Sequence, residues 1–562
     1  MFSFLKRFQK FYMMSYAPRI YGLMRKGYSK RDFKKDAVAG LTVAIISIPL
    51  AIALAIASGV SPANGLYTAI IAGFLTSLFG GSRFQIGGPT GAFVVVVFNV
   101  IALYGYQGLL LATLIAGILL VIAGFLKLGE YIKYIPYPVI VGFTSGIAVL
   151  LFSTQVKDFI GLDIENVPAE ILPKWQMYFE NINSFSWPAV FISLVSLGII
   201  ITINVKRPKW PSYLIAVAVV TVMAVALPFA VDTIGSKFDN IPRFLPMPQM
   251  PEFDLELVFK VFPSALTIAF LAGVESLLSA TIADAMSGDE HNPNAELIGQ
   301  GISNAACAFF SGMPATGAIA RTATNIKSGG YSPVSGMMQS FFLLLFLIVL
   351  SPLAAFIPLS CLSVILILIA FGMFNFPKFF DLLRGQRGDK LTLLVTFLLT
   401  VFVDLNAAIS VGFIMYSIIF IHRISGEVGA NHSKGYEPKN MLLNERMYKH
   451  GIMSIRLSGP MFFGGANKIA RFFKAIQDSP RIVILRMDNV PMIDISGTQV
   501  IIAFVKKMKK QEAKIIFSDV QPQPKNTIAL ALKDEHVSGN IYWAVNFPTA
   551  VKKAKQLIEK KT

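Results

Sequence analysis

Long apolar blocks decide what this chain can become. Leu109 to Phe125, Val190 to Ile203, Leu214 to Val231, Phe341 to Phe356 and Leu391 to Val403 are almost free of charge, and each is long enough, or nearly so, to cross roughly 30 Å of hydrocarbon as a helix. Of 562 residues, 54% are hydrophobic and 15% are charged, fewer charges than a soluble globular protein carries. The surplus apolar surface faces lipid. Reading apolar stretches between turn residues places fourteen spans: 37–57, 63–79, 87–104, 108–127, 136–153, 186–204, 211–231, 261–283, 295–311, 315–327, 336–355, 360–374, 389–404 and 406–424. The predicted class is a polytopic α-helical membrane protein.

The formal charge of +18 is concentrated in particular loops. Lys6, Arg7, Lys10, Arg19, Arg25, Lys26, Lys30, Arg31, Lys34 and Lys35 precede the first span. Their adjacency to a membrane helix makes them an orientation signal rather than a nucleic-acid surface. With an even span count both termini share one side. Lys206, Arg207 and Lys209 after span six, and Lys378, Arg384, Arg387 and Lys390 after span twelve, then face the cytoplasm, while the acidic connector 154–185 lies outside. The first fifteen residues mix bases with aromatics and offer no clean apolar core or cleavage site, so no cleavable signal peptide is expected. Cys307 and Cys361 fall in apolar segments and the five histidines do not cluster, which leaves no metal site or disulfide framework to expect.

After Arg423 the texture turns polar, then alternates β-rich and helical runs. Strands are expected at Ile452–Leu457, Arg481–Met487 and Ala513–Phe517, and helices at Ala466–Ile476, Thr498–Lys510 and Thr549–Lys560. The predicted division is a basic arm over 1–36, a transmembrane domain over 37–425, a linker over 426–446 and a small α/β domain over 447–562.

Two interruptions of apolar sequence are the most informative features: Gly87-Gly88-Pro89-Thr90-Gly91-Ala92 and Gly312-Met313-Pro314-Ala315-Thr316-Gly317-Ala318. Each follows an earlier feature by about forty residues, Pro49 in the first half and Glu275 in the second, the pattern of inverted repeats whose broken segments mark a substrate site. A half-helix starting at such a break turns unpaired N–H groups into the protein centre. Each end carries roughly +0.5 elementary charge, so two facing ends form an anion site without a full charge. Thr90 and Thr316 add hydroxyl donors, and the glycines admit a ligand close to the backbone. Helix kinks packed through small residues are the plainer account of either motif taken singly.

Glu275 stands near the middle of span eight, where a carboxylate is costly and points to function. An ionised Glu275 cannot pair with an anion, so it reads as a coupling site, protonated with substrate or ionised with a cation such as Na⁺. Arg321, one to two turns into the second half-helix, supplies positive charge to the anion or to Glu275. A purely structural Glu275–Arg321 ion pair is the alternative.

Asp36-Ala37-Val38-Ala39-Gly40-Leu41-Thr42 running to Ile48-Pro49, Gly80-Gly81-Ser82-Arg83 ahead of Gly88-Pro89-Thr90-Gly91, Asn292-Pro293-Asn294-Ala295-Glu296-Leu297-Ile298-Gly299-Gln300-Gly301, and Pro314-Ala315-Thr316-Gly317-Ala318-Ile319-Ala320-Arg321-Thr322 form a specific set. Through them nearly the whole chain resembles the SulP family, the sulfate permease group of anion transporters that end in a STAS domain. The resemblance implies fourteen transmembrane segments in two inverted sevens, a core domain moving elevator-like against a gate domain, and a homodimer in the lipid of the cell (inner) membrane with both termini cytoplasmic. It also implies a small anion lined by Thr90, Gly91 and Ala92 from the third segment, Thr316, Gly317, Ala318 and Arg321 from the tenth, and Ser279 with the coupling residue Glu275 from the eighth. In the cyanobacterial bicarbonate transporters of that family the segment-eight acid takes part in sodium coupling, whereas many other bacterial members are proton-coupled. This chain has Glu rather than Asp there and adds Arg321, which leans the expectation towards H⁺, with Na⁺ as the alternative and no other cofactor.

Asp488-Asn489-Val490-Pro491-Met492-Ile493-Asp494-Ile495-Ser496-Gly497 resembles the STAS signature. Ser496 stands where anti-sigma-factor antagonists carry a phosphorylated serine, although capping of a helix from 498 onward is the plainer role for it. No nucleophile and base pair is present, so the chain is not expected to be an enzyme. An anion channel would use the same dipoles but has no use for Glu275, and a membrane-tethered sensor would not need paired broken helices.

Overall fold

The computed structural model describes residues 16–131, 136–164, 167–168, 170–207, 210–226, 231–238, 242–403, 405–426, 429–432, 451–476, 479–535 and 539–559. The predicted linker 426–446 is described at 426 and 429–432 alone, and there it is corrected, because Gly429–His432 form a strand paired with Ile455–Ser458; residues 1–15 of the basic arm lie outside the described residues. The chain forms two compact units, Met1–Phe413 and Ile414–Thr562.

The first unit is helical: α1 (Arg19–Lys26), α2 (Lys30–Ala57), α3 (Pro62–Phe79), α4 (Gly91–Phe125), α5 (Tyr137–Ile160), α6 (Ile171–Glu180), α7 (Trp187–Lys206), α8 (Ser212–Ala226), α9 (Ile234–Lys237), α10 (Leu255–Ser287), α11 (Pro293–Phe309), α12 (Ile319–Lys327), α13 (Val334–Ala354), α14 (Leu359–Met373), α15 (Phe376–Arg384), α16 (Arg387–Phe402) and the start of α17 (Leu405–Gly426). Among the described residues, nine helical stretches are long and apolar enough to cross a membrane. Every expected span coincides with a helix, the short ones being α8, α11, α12 and α16. Spans three and four are the two helices within α4, separated at Gly105, whose φ of 68° is a conformation glycine adopts without steric cost.

Local sequence explains where the elements begin. Ser29 caps α2 in a capping box with Asp32, while α3, α7 and α11 carry proline in their first turn, where a missing N–H costs nothing. Buried residues such as Phe93, Val97, Leu109 and Ile268 join α4 to α10, and Ile52, Leu66, Leu343 and Leu362 join α2, α3, α13 and α14. Leu194, Ile201, Val222, Phe341 and Ile418 point outward and remain exposed, as residues facing lipid do.

Two strands of two residues, β1 (Gly87–Gly88) and β2 (Thr316–Gly317), lie inside this helical unit and pair antiparallel, Gly87 with Gly317 and Gly88 with Thr316. They are the two interrupted motifs, one from each half of the membrane domain.

The second unit, beyond the end of α17, contains β3 (Gly429–His432), β4 (Ile452–Ser458), α18 (Phe463–Ala475), β5 (Ile482–Asn489), α19 (Ile495–Lys510), β6 (Lys514–Ser518), α20 (Pro522–Asp534), β7 (Ile541–Ala544) and α21 (Phe547–Glu559). Its sheet order is β3-β4-β5-β6-β7, with β3 antiparallel and the rest parallel, as strands joined by crossover helices must be. Met453, Val483, Leu485, Ile515 and Phe517 pack with Ile501, Val505 and Ile528 beneath the sheet. The sequence reading missed α20 and β7. The first opens Pro522-Gln523-Pro524, which reads as a loop, and the second is only four residues long. The helix containing Ser496 starts at Ile495, and its cap is Asp494, whose carboxylate accepts from Gly497 N at 2.7 Å. Ser496 therefore sits inside the first turn, half-buried, and does not cap the helix.

Candidate functional site

The β1–β2 ladder sets two helix N-termini close together. Thr90 is the N-cap of α4 and Ala318 that of α12, so both half-helices begin within a few residues of the paired strands. Their first N–H groups have no intrahelical acceptor, and the two positive dipole ends converge on one region. Each strand takes its partner from the opposite half of the chain.

The surrounding loops satisfy the rest of the backbone. Ala318 N donates to Ile86 O at 2.8 Å, Ile86 N to Thr322 Oγ1 at 3.1 Å, and Asn325 Nδ2 to Phe84 O at 3.0 Å. On the second motif, Met313 N donates to Thr68 Oγ1 at 2.8 Å, and Ala315 exchanges hydrogen bonds with the Asn304 amide at 2.9 Å while accepting from Gln300 Nε2 at 2.8 Å.

The expected site residues divide into two groups. Thr90, Gly91, Ala92 and Glu275 come together: Thr90 Oγ1 donates to Glu275 Oε2 at 2.9 Å, and Ala92 and Glu275 line a cavity of about 30 Å³ with Val139, Phe143, Thr144 and Phe270. The cavity lies between α4 and α10 on one side and α5 on the other. Gly91 is packed so tightly that a Cβ there would stand 2.8 Å from Met373 Sδ. Thr316, Gly317 and Ala318 form β2 and its exit. The Thr316 hydroxyl, expected as an anion donor, is committed to Ala272 O at 2.8 Å, and Ser279 Oγ is turned into the protein towards Thr322 Oγ1 at 3.3 Å. The physical reason is common to both: a hydroxyl buried in a helical core finds a local oxygen acceptor. What remains for a ligand at the half-helices is backbone N–H.

For Arg321, a structural ion pair with Glu275 is the alternative reading. Among the described residues it forms no ion pair with Glu275. Its Nη2 donates to Pro89 O at 2.6 Å, and its Nη1, buried and without a hydrogen-bond partner, lies against Gly88. The guanidinium thus packs against β1 next to the Thr90 N-cap. A larger cavity of about 410 Å³ elsewhere is bordered by Asp158, Asp163 and Asp232 against Lys237, the wrong sign for an anion.

The sequence reading assigned no role to Gln85, Glu296, Gln300 or Asn304, all buried. The last three recur every four residues along α11, a polar stripe on one helix face inside the membrane domain, and that spacing is the signal that identifies them.

The sulfate permease family matches residues 33–396 and the STAS domain residues 447–546. A Bacillus subtilis (strain 168) protein provisionally designated the sulfate transporter YvdB is 41% identical over 90% of this chain and 94% of its own length. The bicarbonate transporter BicA of Synechocystis is 31% identical over 83% of this chain and 85% of its own. The structure of SLC26A9 superposes with a TM-score of 0.84 at 18% identity over 98% of this chain and 94% of that one, a likeness of fold. The family match across the membrane domain, together with relatives of 41% and 31% identity, places the chain in the sulfate permease family, whose members are membrane transporters and not enzymes.

Proposed function

We propose that this protein is a secondary active transporter of a small inorganic or carboxylate anion, coupled to protons and working by elevator-like alternating access. The observation that carries the reading is the pair of facing half-helix N-termini with a carboxyl, Glu275, hydrogen-bonded to the N-cap of one of them. The helix ends bind the negative charge. Glu275, bordering the same small cavity, takes up a proton with the anion and gives it up on the other side, so the loaded site is not opposed by a carboxylate. The cavity borders α5, which belongs to a different packed group of helices, and sliding of α4, α10 and α12 as one body against that surface is the movement this arrangement supports. Sulfate and bicarbonate are the leading candidates, because relatives carry those names. The 31% identity to a bicarbonate transporter favours bicarbonate with Na⁺ as the second reading. The protein then lies in the cell membrane as a homodimer, with its arm and STAS domain in the cytoplasm. Ser496 is a candidate phosphorylation site there.

Replacement of Thr316 or Thr90 by leucine tests the site. Each places a bulky apolar group at the ladder or at the α4 cap, and uptake into proteoliposomes is expected to fall at least tenfold while membrane insertion is unchanged. Normal uptake in both variants would move the site elsewhere.

A further inference from the structure

Glu296 is completely buried in α11, and its carboxylate is fully engaged. Oε2 accepts from the backbone N–H groups of Gly81 and Ser82, both at 2.9 Å, and Oε1 accepts from Ser276 Oγ at 3.0 Å. A Cβ at Gly80 would stand 2.9 Å from the same Oε2, so the chain passes close over the carboxylate. Gly81 O in turn accepts from Asn292 N at 3.0 Å, at the cap of Glu296's own helix. The segment thus clamped runs directly into β1.

A second connection reaches β2. Ser276 accepts from Gln85 Nε2, at its carbonyl (2.9 Å) and its hydroxyl (3.0 Å). The Gln85 amide occupies the space that any side chain at residue 317 would enter, which is why Gly317 has none. One carboxylate therefore contacts the lead-in to the first half-helix directly, and the strand before the second through Ser276 and Gln85.

We propose that Glu296 is a positioning residue for the anion site: its carboxylate sets the approach of the two half-helix N-termini by holding the Gly81 and Ser82 amides and, through Ser276 and Gln85, Gly317. This rests on the anion-transport reading for its functional consequence, while its structural part stands independently. Glu296 is not among the residues that line the cavity beside Glu275, and its carboxylate hydrogen bonds among the described residues go to Gly81, Ser82 and Ser276. Removing the carboxylate leaves two buried N–H donors without an acceptor and frees the segment to shift.

The test compares Glu296→Ala, Glu296→Gln and Ser276→Ala in the full-length protein by hydrogen exchange of the 81–90 amides and by exchange of labelled sulfate and of labelled bicarbonate in proteoliposomes, with KM read for whichever of the two the wild type exchanges. Glutamine retains an oxygen for both amides and a donor for Ser276. Glu296→Gln is expected to keep wild-type amide protection, a KM within about twofold of wild type and an unaltered pH profile. Glu296→Ala is expected to lose protection at Gly81 and Ser82 and to raise KM at least tenfold with a smaller effect on kcat. Ser276→Ala is expected to keep that protection yet raise KM. Wild-type protection in Glu296→Ala, or an altered pH profile in Glu296→Gln, overturns the proposal. Should Glu296→Ala fail to fold, the Glu296→Gln and Ser276→Ala pair decides it by the same criteria. Because protection is read without transport, an inactive wild type would count against the transport reading and not against the clamp.

Discussion

Lys174, in the short helix α6 between spans five and six, shows how a single residue carries information that the sequence does not display. In the sequence it is one of two bases in an acidic connector, yet its side chain is 2% exposed and its Nζ lies 5.9 Å from the Phe98 ring of α4. Burial pushes its ammonium down from an ordinary 10.5 to about 8. Tyr178 shares its helix, and Lys157 and Asp158 are the charged groups at the end of the neighbouring α5. Between pH 8 and 10.5 the unfolded chain holds this proton and the folded one does not, so stability contributed by this group rises with pH across that window and is absent below it. Lys174→Met is expected to flatten the rise in stability from pH 8 to 10. A pH dependence identical to wild type would contradict this. Glu275 was legible in the sequence because a carboxylate in an apolar run is conspicuous, whereas the direction of Arg321 was not, since a side chain two residues into a helix can turn to either side of the strand before it.

The β1–β2 ladder is the element on which the site depends, and the sequence revealed it only in part. The Gly/Pro motifs marked where the helices break and their likeness marked them as a pair. That they form hydrogen-bonded strands, Gly87 to Gly317 and Gly88 to Thr316, is a long-range pairing that no local pattern encodes. For the same reason the hydroxyls of Thr316 and Ser279 were expected to face a ligand when their acceptors lie on other helices. The packing of Gln85 on Gly317 makes the ladder testable. Gly317→Ala forces a methyl group into the Gln85 amide and is expected to abolish uptake, whereas Gln85→Ala with Gly317→Ala restores space and recovers part of it. Contacting residues commonly couple by roughly 0.5–3 kcal/mol. A double variant no better than Gly317→Ala alone would show that the collision is not the cause.

At the scale of the whole molecule, apolar block lengths predicted the helices, and the alternation of β-rich and helical runs after Arg423 predicted the α/β unit, because both rest on short-range periodicity. The helix breaks followed from glycine and proline, and the non-helical Gly105 falls in the gap expected between spans three and four. What joins these parts into a function is the claim that an anion between two facing helix ends moves together with a proton on Glu275. The most direct measurement is accumulation of labelled sulfate, bicarbonate and fumarate in proteoliposomes under an imposed inward proton gradient, alongside anion exchange in the same vesicles, for wild type and Glu275→Gln. The account predicts that wild type concentrates at least one of these anions in a pH-dependent manner. Glu275→Gln, permanently neutral, is predicted to exchange that anion but not to concentrate it, and to lose the pH dependence. Full proton-driven accumulation by Glu275→Gln would contradict the account, as would a wild type that moves none of the three anions.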